Sequence, residues 1–523
     1  MRRLAIGFLL LVPLPAPVLG QGAPPALDQV VSRVMQTFEV PGMAVAIVQD
    51  GKVVAARGYG VKTLGKPDPV DAQTLFGIAS NTKLFTATAL GLLVEDGLIA
   101  WDTPVVRYLP WFAMWDAWVT RNITVRDLLV HRSGLGLGAG DLLWWPPSTY
   151  NRKEIAYRLR YLPPVTSFRS AYAYDNVLYT VAGEVIEAVS GLPWEEFVQT
   201  RILDRVGMLG SNVRHSAAEA GGNVATPHAR VDGRVRPVKP FGSDNTNPAG
   251  GINASAEDIA KWLIVQLDSG RTGSDGRLFS EATTRQLWTT VVPRDPGVPP
   301  KELAPLRGGF LGYALGINVQ DYRGQKLLTH TGGLPGYVSR LAMLPDRKIG
   351  VAILTNMESG AAFNALAWTI LDYYLDAPPH DWIAAYATLE QRADAATRAA
   401  GSATGAERHA TARPSLPLER YAGTYHDAWY GDVDLRLEQG HLVIQFGKTP
   451  SLLGDLEHWQ YDTFVVRWRD RELRADAFIT FALDPDGSIR EARMEAVSPA
   501  TDFSFDFQDL LLKPVEAAAA QSR

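Results

Sequence analysis

Ser80 and Lys83 stand three residues apart in the run Phe76-Gly77-Ile78-Ala79-Ser80-Asn81-Thr82-Lys83-Leu84-Phe85-Thr86-Ala87. If this segment is helical from Ser80 onward, that spacing puts both side chains on one face, with Cβ atoms about 5–6 Å apart. A hydroxyl and an amine so placed form a nucleophile and its base: a neutral, partly buried amine takes the proton as the hydroxyl attacks a carbonyl. The N-terminal end of a helix favours a developing alkoxide and disfavours an ammonium. Taken alone the four-residue pattern is weak, because a serine at a helix start is usually a cap beside a solvated lysine. Here Lys83 is embedded in apolar sequence, where a purely structural lysine has little reason to be.

Other residue types allow fewer chemistries. The chain has 523 residues, no cysteine and a net charge of −5. Disulfides, thiolate ligands and a cysteine nucleophile are thereby excluded. The charge gives no reason to expect nucleic acid or an anionic membrane as partner. The nine histidines form no HExxH pattern and no close pair, so neither a metal nor another cofactor is expected. The glycine-rich Gly134-Leu135-Gly136-Leu137-Gly138 follows no strand and opens no helix, and reads as a loop. Trp144-Trp145-Pro146-Pro147 offers either a substrate lip or core packing. His131 reads as a packed or hydrogen-bonded structural residue.

The elements that must position these residues follow from periodicity. Met43 to Val48 is a buried-type strand, Asp50-Gly51 a hairpin turn, and Lys52 to Ala56 the returning strand. Leu84, Thr88, Leu92 and Leu93 repeat at helical spacing, and Gly97 ends that helix. Asn176 to Val189 predicts a second helix, stopped by Gly191-Leu192-Pro193. Late β-type runs at 316–319, 326–329, 339–344 and 350–354 precede a closing helix over 361–375. Strands at both ends with helices between them predict an α+β domain over residues 21–385. Residues 386–415 read as a helix giving way to a linker. Residues 416–515 read as regularly spaced short strands, a small barrel or sandwich. Residues 516–523 read as a disordered tail.

Arg2, Arg3 and the apolar run from Leu4 to Val12 read as a signal peptide ending near residue 20, too short for a permanent span. The expected destination is the periplasm or the exterior, with no stable membrane span.

Several ordered segments resemble the class C β-lactamase and penicillin-binding-protein superfamily, which includes D-alanyl-D-alanine carboxypeptidases, D-aminopeptidases and serine esterases. Residues 76–90 are similar to its nucleophile segment, and residues 123–135 resemble the family's helix before its active-site loop. Tyr174-Asp175-Asn176 resembles the Tyr-x-Asn motif, and Pro248-Ala249-Gly250-Gly251-Ile252 the Gly-Gly turn. His330-Thr331-Gly332-Gly333 resembles the third motif on a core strand. The likeness covers roughly residues 27–376. It implies a β-lactamase/transpeptidase-like domain, an antiparallel sheet flanked by helices plus a helical subdomain. Tyr421-Ala422-Gly423-Thr424-Tyr425 is similar to the opening strand of the lipocalin-like β-barrel attached to many of these hydrolases.

The resemblance also implies roles. Ser80 attacks; Lys83 helps deprotonate it; Tyr174, a phenol lowered by two nearby cations, acts as general base and then protonates the leaving group. Asn176 binds a substrate amide. His330, Thr331, Gly332 and Gly333 line the substrate site, and the N–H groups of Ser80 and Gly333 form an oxyanion hole. His330 stands where the class C β-lactamases have lysine, which weakens the case for efficient β-lactam hydrolysis. The implied partner is a small molecule or peptide: a β-lactam, a D-amino-acid peptide or a small ester. The alternative is a penicillin-recognising or peptidoglycan-sensing protein with little turnover.

Overall fold

The computed structural model describes residues 22–515 apart from 220, 221, 274, 275, 407 and 410. The segment read as a signal peptide and the tail after residue 515 lie outside the described residues.

The hairpin at Asp50-Gly51 forms with both turn residues at positive φ, 50° and 73°, the backbone a two-residue hairpin favours. It joins Gly42–Gln49 to Lys52–Gly60. Gly42–Gln49 then pairs on its other side with Ile349–Thr355, from the far end of the domain. The eight strands run in the order Lys52–Gly60, Gly42–Gln49, Ile349–Thr355, Tyr337–Leu344, Gln325–Leu334, Asn318–Tyr322, Leu311–Tyr313 and Val292–Arg294, all neighbours antiparallel. Side chains alternate between two cores. Ala44, Ala46 and Val48 pack with Ile259 and Leu263 of the helix Ala256–Leu267. Met43, Val45 and Ile47 pack with Leu366 and Ile370 of the helix Gly360–Tyr374. A strand covered on both faces is apolar at every position, which is why its sequence shows no alternation.

The segment that carries Ser80 and Lys83 opens as a 3₁₀ turn, Ala79–Asn81, and continues as the helix Thr82–Glu95, buried at every position from Thr82 to Leu93. This is the central helix, apolar all round as such burial requires. One expectation changes: residues 123–135 form no long helix. Asp127 accepts from Thr124 N and Oγ1 and pairs with Arg132 and Arg169, and this local network leaves only a 3₁₀ turn over Asp127–Leu129. In the segment read as a helix giving way to a linker, the helix runs over Trp382–Ala406, and its alanines and arginines are strong helix formers.

The C-terminal domain is an eight-stranded sheet in the order Ile489–Ala496, Ala477–Leu483, Thr463–Trp468, Leu453–Gln460, His441–Phe446, Gly431–Glu438, Gly423–Asp427 and Lys513–Pro514. Leu512 and Ala492 exchange both backbone hydrogen bonds, at 3.0 and 2.7 Å, so the edges meet and the sheet becomes a nearly closed barrel. The barrel docks on the helical part of the first domain. Thr149 N donates to Lys448 O at 2.8 Å, Arg158 Nη1 donates to Trp429 O at 2.8 Å, and the Tyr150 hydroxyl donates to Tyr430 O.

Candidate active site

Ser80 is presented by a strained turn. Ala79 holds φ at 50°, a region that costs a non-glycine residue about 1–3 kcal/mol and recurs at functional sites. The turn is clamped from two sides. Ser339 Oγ donates to Ile78 O at 2.7 Å and accepts from Asn81 Nδ2 at 2.8 Å. Ile78 N donates to Ile252 O at 3.0 Å.

Lys83 is fully buried and its Nζ has three contacts: Ser80 Oγ at 3.0 Å, Asn176 Oδ1 at 2.8 Å and Ala249 O at 3.0 Å. Both Asn176 Oδ1 and Ala249 O can only accept. A neutral amine has two N–H groups and one lone pair. With both N–H groups spent on those acceptors, the lone pair faces the serine hydroxyl. Burial pulls the amine down to about 7, against the opposing pull of Asp141 and Asp175, so near neutral pH a large share of the molecules carries a base aimed at Ser80.

The Tyr174 ring lies 4.9 Å from Lys83 Nζ. Its ionisation corrects the sequence expectation. Desolvation pushes the phenol well above its ordinary value, and the neighbouring Ser80 only partly opposes this. Lys83 lies beside it, while His330 is held neutral. Burial first, then the Lys83 charge, lowers the imidazole to about 3. His330 Nδ1 lies 2.6 Å from Thr331 O, and Nε2 lies 2.9 Å from the Tyr313 hydroxyl. Nδ1 therefore carries the proton and Nε2 accepts. In this geometry the Tyr174 phenol stays protonated rather than standing as a phenolate.

Asn176 begins the helix Val177–Ser190 but makes no side-chain cap. Its Nδ2 donates to Asp141 Oδ2 at 2.9 Å, so the amide bridges Lys83 and Asp141. Gly332 is buried against Ile78, where no side chain fits, and this lets the Gln325–Leu334 strand approach the nucleophile turn. Thr331 and Gly333 are exposed beside it. His131 packs as expected: its ring is buried 4.3 Å from that of Tyr174, and Nδ1 accepts from Asp175 N at 3.2 Å.

Two neighbours of this network carried no sequence signal, Asp141 and Ser504, whereas the Ala249 carbonyl lies in the segment that resembles the Gly-Gly turn. Asp141 is fully buried and accepts from Trp144 Nε1 at 2.8 Å as well as from Asn176. Burial lifts its carboxyl to about 7 against those hydrogen bonds.

A cavity of about 900 Å³ meets the site at Gly333. Trp145, Phe241 and Leu334 of the first domain and Leu473, Arg474 and Phe505 of the barrel line it. The tryptophan segment packs: Trp144 is a buried donor, and Trp145, also buried, stacks on Phe241 at 5.4 Å and lines the cavity. Two cations that line the cavity are paired, Arg474 with Glu358 at 2.6 and 2.8 Å and Lys239 with Asp470 at 2.9 Å. Among the described residues, no group of three or more histidines, aspartates or glutamates could hold a metal ion, and no helix is long and apolar enough to cross a membrane.

Residues 27–375 match the beta-lactamase family model, and residues 407–514 match a domain of unknown function (DUF3471). The chain is 30% identical to the unguisins hydrolase of Aspergillus campestris over 88% of this chain and 87% of that one. It is 27% identical to penicillin-binding protein 4 of Amycolatopsis lactamdurans over 61% of this chain and 81% of that one. The octameric penicillin-binding protein homologue from Pyrococcus abyssi superposes with a TM-score of 0.60 at 22% identity, over 93% of this chain and 99% of that one.

Proposed function

This chain belongs to the beta-lactamase family, and from that premise we propose that it hydrolyses amide bonds of peptide-sized substrates through an ester on Ser80. One observation carries the reading: the buried Lys83 amine, with its other partners satisfied, lies 3.0 Å from Ser80 Oγ. Lys83 takes the serine proton as Oγ bonds to the substrate carbonyl carbon. The N–H groups of Ser80 and Gly333 receive the oxyanion. Tyr174 passes the proton to the leaving nitrogen as the C–N bond breaks, and water then releases the acid by the reverse relay.

Two further points support a peptide amide over a small ester. The similarity to the unguisins hydrolase extends over 88% of this chain, more than the catalytic domain alone occupies. The cavity of about 900 Å³ is the size of a several-residue ligand site. His330 supplies no fixed cation for a carboxylate next to the scissile bond, so β-lactams and free D-Ala-D-Ala ends are poorer candidates.

Intact-protein mass spectrometry after fluorophosphonate treatment tests the nucleophile: one adduct, mapped to Ser80 and missing in Ser80→Ala, is expected. Side-by-side turnover of nitrocefin, D-Ala-terminated peptides, end-blocked peptides and nitrophenyl esters tests the substrate class. Turnover of nitrocefin alone would overturn the peptide reading.

A further inference from the structure

The hydrogen-bond chain that orders Lys83 does not end within the catalytic domain. Asp141 Oδ2, which accepts from Asn176 Nδ2 at 2.9 Å, also accepts from the hydroxyl of Ser504 at 2.8 Å. Ser504 belongs to the barrel domain, in the segment between the strand Ile489–Ala496 and the 3₁₀ turn Phe507–Asp509. It is 4% exposed, and Asp141 is fully buried. The segment is pinned in place. The Asp506 carboxylate accepts from Gly140 N at 2.6 Å and Leu142 N at 2.9 Å, the two residues flanking Asp141. Phe503 meets the Tyr174 ring edge-on at 6.2 Å and lies against Gly138, whose φ of 69° and lack of a side chain make room for it.

Asp141 thus receives three side-chain donors, Trp144 Nε1, Asn176 Nδ2 and Ser504 Oγ. A carboxylate, which accepts at both oxygens and donates at neither, satisfies all three at once. While it does, Asn176 must keep Nδ2 toward Asp141 and Oδ1 toward Lys83.

We propose that Ser504 is a positioning residue: the barrel domain supplies the hydroxyl that fixes Asp141, and through Asn176 it sets where Lys83 holds its amine against Ser80. The proposal rests on the reading of Ser80 as nucleophile. Without the hydroxyl, Asp141 loses one of its three donors and takes up a proton more readily. A protonated Asp141 no longer demands the Asn176 N–H, so the amide turns and Lys83 loses its acceptor. An ammonium deprived of both that acceptor and the nearby anion gives up its proton at lower pH. The other groups facing this pair stay in place: Asp506 and Tyr174 around Asp141, and Asp175, His131 and His330 around Lys83.

The test is the rate of Ser80 labelling by a fluorophosphonate across pH, on the full-length chain, for the unaltered protein, Ser504→Ala and Ser504→Thr, with thermal melting alongside. In Ser504→Ala the plateau rate should fall roughly tenfold, as for a displaced catalytic group. Its acid-side midpoint should move to lower pH at a nearly unchanged Tm, and Ser504→Thr should restore both. Should the alanine variant not fold, Ser504→Cys, similar in size with a weaker donor, gives the same readout. An unshifted midpoint with an unchanged rate, or a loss of rate that merely follows Tm, overturns the proposal. Absence of an adduct on the unaltered chain overturns the nucleophile reading instead, and this proposal with it.

Discussion

Gly332 faces the carbonyl of Ile78 across a gap that admits no side chain. A methyl group at Gly332 would overlap that oxygen and come within 2.7 Å of Ser339 Oγ and 2.9 Å of Ala79 Cβ. Ile78 and Ala79 belong to the turn that presents Ser80, and the carbonyl cannot swing away as a flexible side chain could. Gly332→Ala is therefore expected to push the strand off the turn and slow Ser80 labelling by on the order of 10²-fold, the cost of an ångström-scale misplacement. Melting and labelling measured on the same preparation check this. A variant that labels at the full rate would show that the close approach has no bearing on catalysis.

Lys83→Met replaces the amine with a side chain of similar length that cannot accept a proton. Labelling is expected to fall by about 10²–10⁴, the usual worth of a general base. The orphaned acceptors, Asn176 Oδ1 and Ala249 O, should cost about 1–3 kcal/mol of stability. The variant should still fold around its intact apolar surroundings. Substantial labelling at neutral pH would move the base role elsewhere.

Activity should report the lysine's titration. Lys83 must be neutral to act and titrates at about 7, so the acylation rate should rise about tenfold per pH unit below that value and level off above it. The Tyr174 phenol, held above its ordinary value of 10 by burial, should leave the plateau intact into the alkaline range. His330, lowered to about 3, is uncharged throughout, so His330→Asn should leave the midpoint where it is. A pH–rate curve for both proteins settles the matter. A midpoint that moves by a unit in His330→Asn would mean that the imidazole titrates within the range.

The parts legible in the sequence are those whose cause is local. An apolar run with Asp50-Gly51 after it can hardly be anything but a hairpin, and Ser80 with Lys83 need only one turn of helix to meet. Tyr174 and His330 came from resemblance to a family pattern. The remainder depends on what lies across space. Ala249 contributes a backbone carbonyl, which every residue has. Asp141 is a single acid in a glycine-rich stretch, and Ser504 reaches it over 363 positions. The protonation state of Tyr174 is not legible for the same reason, since desolvation is a property of the folded surroundings and not of the motif.

Asn176→Asp separates a network role from a capping role. Asn176 stands at the start of a helix, where an aspartate is as good a cap as an asparagine, so a capping residue would tolerate the change. The structure instead places its Oδ1 2.8 Å from Lys83 Nζ and its Nδ2 2.9 Å from Asp141. A carboxylate there sets a full negative charge against the amine and raises its proton affinity. It also faces a second carboxylate with no donor between them, so the two acids must share a proton. The excess charge lies on the side that favours ammonium. The acid limb of the labelling profile should therefore move to higher pH by about 1–3 units, the shift typical of an opposite charge within 4–6 Å. The rate at neutral pH should fall at least about tenfold and recover in alkaline buffer. This displacement is opposite in sign to that expected for Ser504→Ala. An unmoved midpoint would reduce Asn176 to a residue that merely begins a helix.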